Sequence, residues 1–423
     1  MTSSDCESHF SLANIPFGIA SSKKRPEPQC VTRLANQVIF LDCLALQGVF
    51  AEIPELPKGI FAEPTLNTFA ALPRSVHQSV RHAIQSALTD QNTEASWRNH
   101  AEHTQDVTMH LPISIGDFTD FSCSLNHVQN AGQIMVGQKS APPSFYKFPM
   151  CYQGRASSVV VSGTPIERPV GHFWDNSERH ASAKDPPVVF GPSRKLDYEV
   201  EVAAIVGKPL PMGARLNATD ADDHIFGFVL MNDWSARDIQ AFEMIPLGPV
   251  NGKNFGTSIS PWVISYETLE PFKTTAPITH SDVSIHMIDP TASTYSIMLK
   301  VEIISNSKST TTGLSNLSSL FWTVRHMLAH TVSAGSPLRT GDLLATGTIS
   351  GDQKGTYGCL LEETEGGRTP TQLEDGTNRS FLEDGDAVRI TAIAGGEGSG
   401  VGFGECTGEV LPARPSDKPH RND

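Results

Sequence analysis

The 423-residue chain has little charge: Asp, Glu, Lys and Arg make up 18% of it. What charge there is leans one way, with 46 acidic residues against 32 basic ones and a net charge of −14. Such a surface repels phosphate backbones and anionic headgroups, so neither nucleic acid nor a membrane surface is an expected partner. No run approaches the roughly 18 consecutive apolar residues of a spanning helix. Nor does a basic region followed by an apolar run open the chain between Met1 and Pro16, so no secretory leader is expected. The seven cysteines (Cys6, Cys30, Cys43, Cys123, Cys151, Cys359 and Cys406) are odd in number, scattered and without a CxxC pair. That pattern excludes a disulfide framework and a zinc ribbon, and predicts reduced thiols in a cytoplasmic protein. Neither GxSxG nor GxxxxGK[ST] occurs, which removes the nucleophile elbow and the P-loop.

Turn formers are plentiful, with 34 glycines and 29 prolines, and they predict many short strands. Residues 33–43 read as a strand pair about an Ala35-Asn36-Gln37 turn. Val76, Val80, Ala83, Ile84, Ala87 and Leu88 share one face of a helix over 74–89, and the polar stretch 89–104 reads as a connector. Residues 1–115 are therefore expected to form a small first domain. From Leu111 onward, β-rich runs are punctuated by Gly and Pro, at 158–162, 199–206, 225–231, 262–265, 283–288, 296–303, 343–346 and 388–393. One helix is expected at 318–334, its stripe Leu320, Phe321, Val324, Met327, Leu328 and Val332 ending at Gly335. Strands that do not alternate regularly with helices exclude a doubly wound fold. They predict a mainly β fold with some α, its larger domain, over 116–415, a mixed β-sandwich or roll. The Gly-rich run 395–404 lacks GxGxxG in register and is expected to be a β-hairpin. Residues 416–423 read as a disordered tail.

The segment Leu196-Asp197-Tyr198-Glu199-Val200-Glu201-Val202 alternates, which places Asp197, Glu199 and Glu201 on one strand face. A solvated acidic face gives this pattern, and so does a pair of cation ligands, since residues two apart on a strand lie about 6.6 Å apart. Two further acids favour ligands. Asp120 precedes His127 by seven residues, and Asp233 ends the apolar run 225–231, where an N-cap is the competing role. If Asp120, Glu199, Glu201 and Asp233 meet, an all-oxygen site selects Mg²⁺, Ca²⁺ or Mn²⁺ over zinc. Lys253 or Arg237 would then balance the excess negative charge. His127 is a candidate general base or a structural histidine. His326 and His330 have zinc-binding spacing, but the peptidase glutamate is missing between them.

Longer segments carry a more specific signal: MHLPISIGDFTDF (109–121), GRASSVVVSGTPI (154–166), LDYEVEVAAIVG (196–207), HIFGFVLMNDWSARDIQ (224–240), GTSISPWV (256–263), GDLLATGTISG (341–351) and VGFGECTGEVLP (401–412). In these the chain resembles the fumarylacetoacetase family of tyrosine and phenylalanine catabolism. The resemblance implies a small SH3-like N-terminal domain, a larger catalytic β-roll and a homodimer. It also implies Mg²⁺ or Ca²⁺ at Asp120, Glu199, Glu201 and Asp233, with Lys253 and Thr257 serving the same region. His127 matches a water-activating base and Glu362 the acid that orients it. Arg237, Gln240 and Lys253 match groups around the reacting oxygen, and Thr348 a substrate contact. The implied substrate is a 1,3-diketo acid cleaved at a carbon–carbon bond.

At the substrate end the chain departs from this pattern. Ser122 and Met244 stand where the family has substrate-contacting tyrosines, Gln153 where it has a histidine, and Gln133–Gly137 lacks an arginine. Fewer hydrogen bonds to a dianionic acid are expected, each worth about 1–3 kcal/mol. That raises an alternative: a relative in specialised metabolism acting on a less acidic dicarbonyl, by hydrolysis or decarboxylation.

Overall fold

The computed structural model describes residues 4–90, 97–176, 186–277 and 282–415. The predicted tail at 416–423 lies outside the described residues. The fold is mostly β with some α, as expected. The N-terminal part is a five-stranded antiparallel sheet in the order Ala101–His103, Gln37–Phe40, Gln29–Leu34, Gly18–Ser22, Val107–His110. The strand pair about Ala35 and the helix Arg74–Thr89 form as predicted. The expected connector at 89–104 instead ends in the strand Ala101–His103, paired to Gln37–Ile39.

An eight-stranded mixed sheet forms the centre of the molecule. Its main path runs Met150–Gln153, Phe118–Ser122, Leu343–Ala345, Val200–Val206, Ile225–Asp233, Thr257–Ile259, Val159–Val161. Strand pleat gives each face its own partner. Val200, Val202, Ala204, Phe228 and Leu230 pack into the main core, beside a five-stranded sheet that includes Ile297–Ser305 and Ala387–Ala394. Ala203, Ile205, Val229, Met231, Leu343 and Ala345 face the other way, onto Phe17, Ile19, Phe69 and Val80 of the N-terminal part.

Two expectations need correction. Residues 283–288 form a short 3₁₀ turn at Ile285–Met287, not a strand. Among the described residues their alternation has no strand to pair with: Met287 is buried, but Ile285 is 85% exposed. Asp289 folds the chain back by accepting from Thr291 and Ser293 backbone N–H groups. The helix expected at 318–334 covers only Val324–Thr331. Leu320 and Phe321 are buried as predicted, but from non-helical chain ahead of a Thr323–His326 capping box. Gly335 does take positive φ, at 89°. The Gly-rich run forms the expected hairpin between Ala387–Ala394 and Gly402–Leu411.

Gly347 follows the central strand Leu343–Ala345 with φ of 72°. A Cβ there would stand 1.9 Å from the Phe121 carbonyl oxygen. Backbone must move to admit it, so Gly347→Ala should cost about 2 kcal/mol or more of unfolding free energy. Urea denaturation measures this, and an unchanged midpoint would contradict it.

Candidate active site

The site continues the pleat of the central sheet. Phe118, Ala203, Met231 and Ile259 lie on the face that packs against the N-terminal part. Two residues along each of their strands, on the same face, stand Asp120, Glu201, Asp233 and Thr257. Glu199 joins them from the break between strands Leu196–Asp197 and Val200–Val206. One carboxylate oxygen from each of Asp120, Glu199, Glu201 and Asp233 lies within 4.8 Å of the others. All four are buried, so the alternating segment is no solvated face. Asp233 is not an N-cap either, since Ala236 precedes the helix Arg237–Glu243.

Two cations and two hydroxyls offset part of this charge. Lys253 Nζ donates to Asp233 Oδ2 at 2.7 Å and also to Glu199. Arg237 Nη1 donates to Glu199 Oε1 at 2.7 Å. Thr257 Oγ1 and Tyr152 OH donate to Asp233 at 2.9 and 2.7 Å. Burial opposes ionisation of Glu199, but the Lys253 and Arg237 charges outweigh it and hold the carboxyl far below its ordinary range. Asp120 and Glu201 go the other way. Burial first, then the charges of Asp233 and Glu199 for Asp120, and of Asp120, Asp233 and Glu199 for Glu201, push both well above it. Asp120 Oδ1 and both Glu201 oxygens have no hydrogen-bond partner among the described residues. Buried carboxylate oxygens without donors are costly, and this all-oxygen set fits a divalent cation.

His127 stands in the first turn of the helix Leu125–Val136, whose N-cap Ser124 accepts from the His127 backbone N–H at 3.2 Å. Its Nδ1 meets Glu362 Oε2 at 2.7 Å. Glu362 also accepts from Ser350 Oγ at 2.6 Å, Asn130 Nδ2 at 2.9 Å and Cys359 Sγ at 3.2 Å. Burial opposes its charge, yet His127 and these hydrogen bonds hold its carboxyl below the ordinary range. With Nδ1 donating to a carboxylate, Nε2 is the basic nitrogen.

The other expected residues fall as follows. Gln240 is buried, and its Oε1 accepts from Arg237 Nη1 at 3.3 Å. Thr348 is buried, its Oγ1 without a hydrogen-bond partner among the described residues. Ser122 ends the strand of Asp120, and Met244 follows the helix Arg237–Glu243. Neither side chain hydrogen-bonds to the acidic cluster or to the His127–Glu362 pair. His326 is held in its capping box, and His330 stacks on Phe148 with centroids 4.6 Å apart. Sequence reasoning missed Tyr152, Asn130, Ser350 and Cys359. Only Asp197 left a signal, in the acidic alternation, and its partners are Arg237 and the backbone at 360–361.

Comparison with known proteins converges on one family. The family model described as fumarylacetoacetate (FAA) hydrolase C-terminal matches residues 117–411, and that of fumarylacetoacetase N-terminal matches 13–112. The chain is 44% identical to the fumarylacetoacetase of Aspergillus fumigatus, with 96% of each covered. It is 39% identical to that of Arabidopsis thaliana, with 97% of each covered. It is 38% identical to that of Homo sapiens, over 96% of this chain and 97% of that one. Among solved structures, a fumarylacetoacetate hydrolase from Exiguobacterium antarcticum shares the fold, with a TM-score of 0.51 at 17% identity, over 95% of this chain and 100% of that one.

The acidic cluster has a pH signature. Asp120 and Glu201 keep their protons to higher pH when folded than when unfolded. Their contribution to stability is therefore full below the unfolded carboxylate pKa of about 4 and is lost as pH rises through the raised folded values. A bound divalent cation removes that loss. Between pH 5 and 8, the gap in melting temperature between Mg²⁺-saturated and EDTA-treated protein should widen as pH rises, and Glu201→Gln should raise the EDTA curve. A gap independent of pH would refute the assignment.

Proposed function

The chain belongs to the fumarylacetoacetate hydrolase family, and on that footing we propose that it hydrolyses fumarylacetoacetate to fumarate and acetoacetate, a carbon–carbon cleavage within a 1,3-diketo acid. The observation that carries this reading is the buried acidic cluster set beside the His127–Glu362 pair. Relatives named fumarylacetoacetase along the whole chain favour that substrate over a less acidic dicarbonyl. A paired general base favours water attack over decarboxylation.

A divalent cation, Mg²⁺ or Ca²⁺, held by Asp120, Glu199, Glu201 and Asp233 would supply Lewis acidity toward the two ketone oxygens. Lys253 and Thr257 keep Asp233 and Glu199 in place for it. His127 Nε2 takes a proton from water, and Glu362 stabilises the imidazolium that results. The hydroxide adds to the carbonyl carbon, and Arg237, Gln240 and Lys253 surround the oxyanion that develops. Collapse of this adduct breaks the carbon–carbon bond, and the leaving enolate recovers a proton as acetoacetate. Thr348 Oγ1, buried and unpartnered, is assigned with Ser122, Gln240 and Met244 to substrate contact.

We place this chemistry in tyrosine and phenylalanine catabolism, in a cytoplasmic homodimer. Cys30, Cys43, Cys123, Cys151, Cys359 and Cys406 as reduced thiols support a reducing compartment. The five-stranded sheet supports an SH3-like domain over 1–115, leaving a catalytic β-roll over 116–415.

Purified protein with Mg²⁺ or Ca²⁺ should abolish the ultraviolet absorbance of fumarylacetoacetate, and EDTA should stop it. Undiminished absorbance with either ion would reject the substrate. His127→Ala should lower kcat by about 10²–10⁴ and leave calorimetric Mg²⁺ affinity within a few-fold of wild type. Retained turnover in that variant would mean that His127 is not the base.

A further inference from the structure

Asp197 takes no part in the steps just described, yet it is fully buried beside them. It ends the short strand Leu196–Asp197, two residues before Glu199. Donors from three segments converge on it. Oδ1 accepts from the backbone N–H of Tyr198 at 2.9 Å and of Leu360 at 2.8 Å. Oδ2 accepts from the Leu361 N–H at 2.9 Å and from Arg237 Nε at 2.9 Å.

The identity of these donors is informative. Leu360 and Leu361 open the one-turn helix Leu360–Glu363, and Glu362 is its next residue. First-turn amides have no acceptor within their own helix, so the Asp197 carboxylate fixes the direction of that turn and the place of Glu362. Arg237 opens the helix Arg237–Glu243, and its Nη1 continues to Glu199 at 2.7 Å. With Asp197 on its Nε edge and Glu199 on Nη1, the guanidinium cannot swing. One carboxylate thus ties the acid that orients His127 to the cation that faces the reacting oxygen.

We propose that Asp197 is a positioning residue for the hydrolysis, setting the separation between the His127–Glu362 pair, where hydroxide forms, and Arg237, where negative charge develops. This rests on the hydrolase reading given under Proposed function. Asp197 acts through Arg237 and Glu362, not on the substrate. Its effect belongs in the rate of reaction, because a misplacement of about 1 Å can cost about 10² in rate.

Asp197→Asn keeps the shape but turns one acceptor into an amide facing N–H donors. It is assayed on fumarylacetoacetate with saturating Mg²⁺, beside wild type. An inactive wild type would fell the hydrolase reading, and this proposal with it, before Asp197 is at issue. With an active wild type, kcat of Asp197→Asn should fall about 100-fold or more. KM and calorimetric Mg²⁺ affinity should stay within about threefold, since the cation ligands remain. In a Glu362→Gln background the same substitution should cost a smaller factor than in wild type, because one of the two groups it positions is already disabled and only the Arg237 part of its effect remains. A merely structural carboxylate would cost the same factor in both backgrounds. Equal losses, or a kcat within about threefold of wild type, would overturn the proposal. If Asp197→Asn does not fold, Asp197→Glu, which keeps charge and acceptors, is measured in the same way. Failure of both variants to fold also overturns it, in favour of a role in folding alone.

Discussion

Four carboxylates that share one buried space repel each other, and much of the larger unit serves to keep them together. Side-chain flexibility alone would let them part. Strand backbone prevents this, because all three of Asp120, Glu201 and Asp233 stand on one hydrogen-bonded sheet, the strands of Glu201 and Asp233 adjacent and that of Asp120 one strand away, across Leu343–Ala345. Lys253, Arg237, Thr257 and Tyr152 offset the charge unevenly. Their hydrogen bonds go to Glu199 and Asp233, while Asp120 and Glu201 lie in the field of the neighbouring carboxylates with less to offset it. The imbalance leaves carboxylate oxygens of Asp120 and Glu201 without donors among the described residues, as a cation site requires. A fully compensated cluster would be a structural salt-bridge network with nothing left to bind.

The His127–Glu362 pair follows a different logic. Its acid is held ionised by four donors, so the histidine keeps one orientation and one free nitrogen. The two clusters therefore hold their acids in opposite states: Glu362 charged by design, Asp120 and Glu201 charged only at a cost. Environments that drive carboxyl pKa values apart are how one pocket divides acid–base work.

Local periodicity revealed part of this. Asp120, Glu199, Glu201 and Asp233 were legible because alternation and strand ends are short-range signals. The helix Arg74–Thr89 was legible for the same reason, its stripe repeating every three to four residues. Alternation misled at Val283–Ile288, which pairs with no strand among the described residues, and the 318–334 stripe overran because non-helical chain buries Leu320 and Phe321 as well as helix does. Tyr152, Asn130, Ser350 and Cys359 were illegible from the residues alone. Asn130, for one, meets Glu362 across 232 residues of sequence. His127 as a candidate base and Lys253 as a charge balance could be read from the residues, whereas Glu362 gained a role only through family resemblance.

The N-terminal sheet rests on the apolar half of the sheet face whose other half bears the carboxylates. It lends the acidic cluster no carboxylate. Yet it covers the strands whose spacing the four carboxylates inherit, as a footing sets the span of an arch it never touches. Two units that separate cleanly in sequence thus share one mechanical foundation, and the chemistry belongs to their junction as much as to the larger unit.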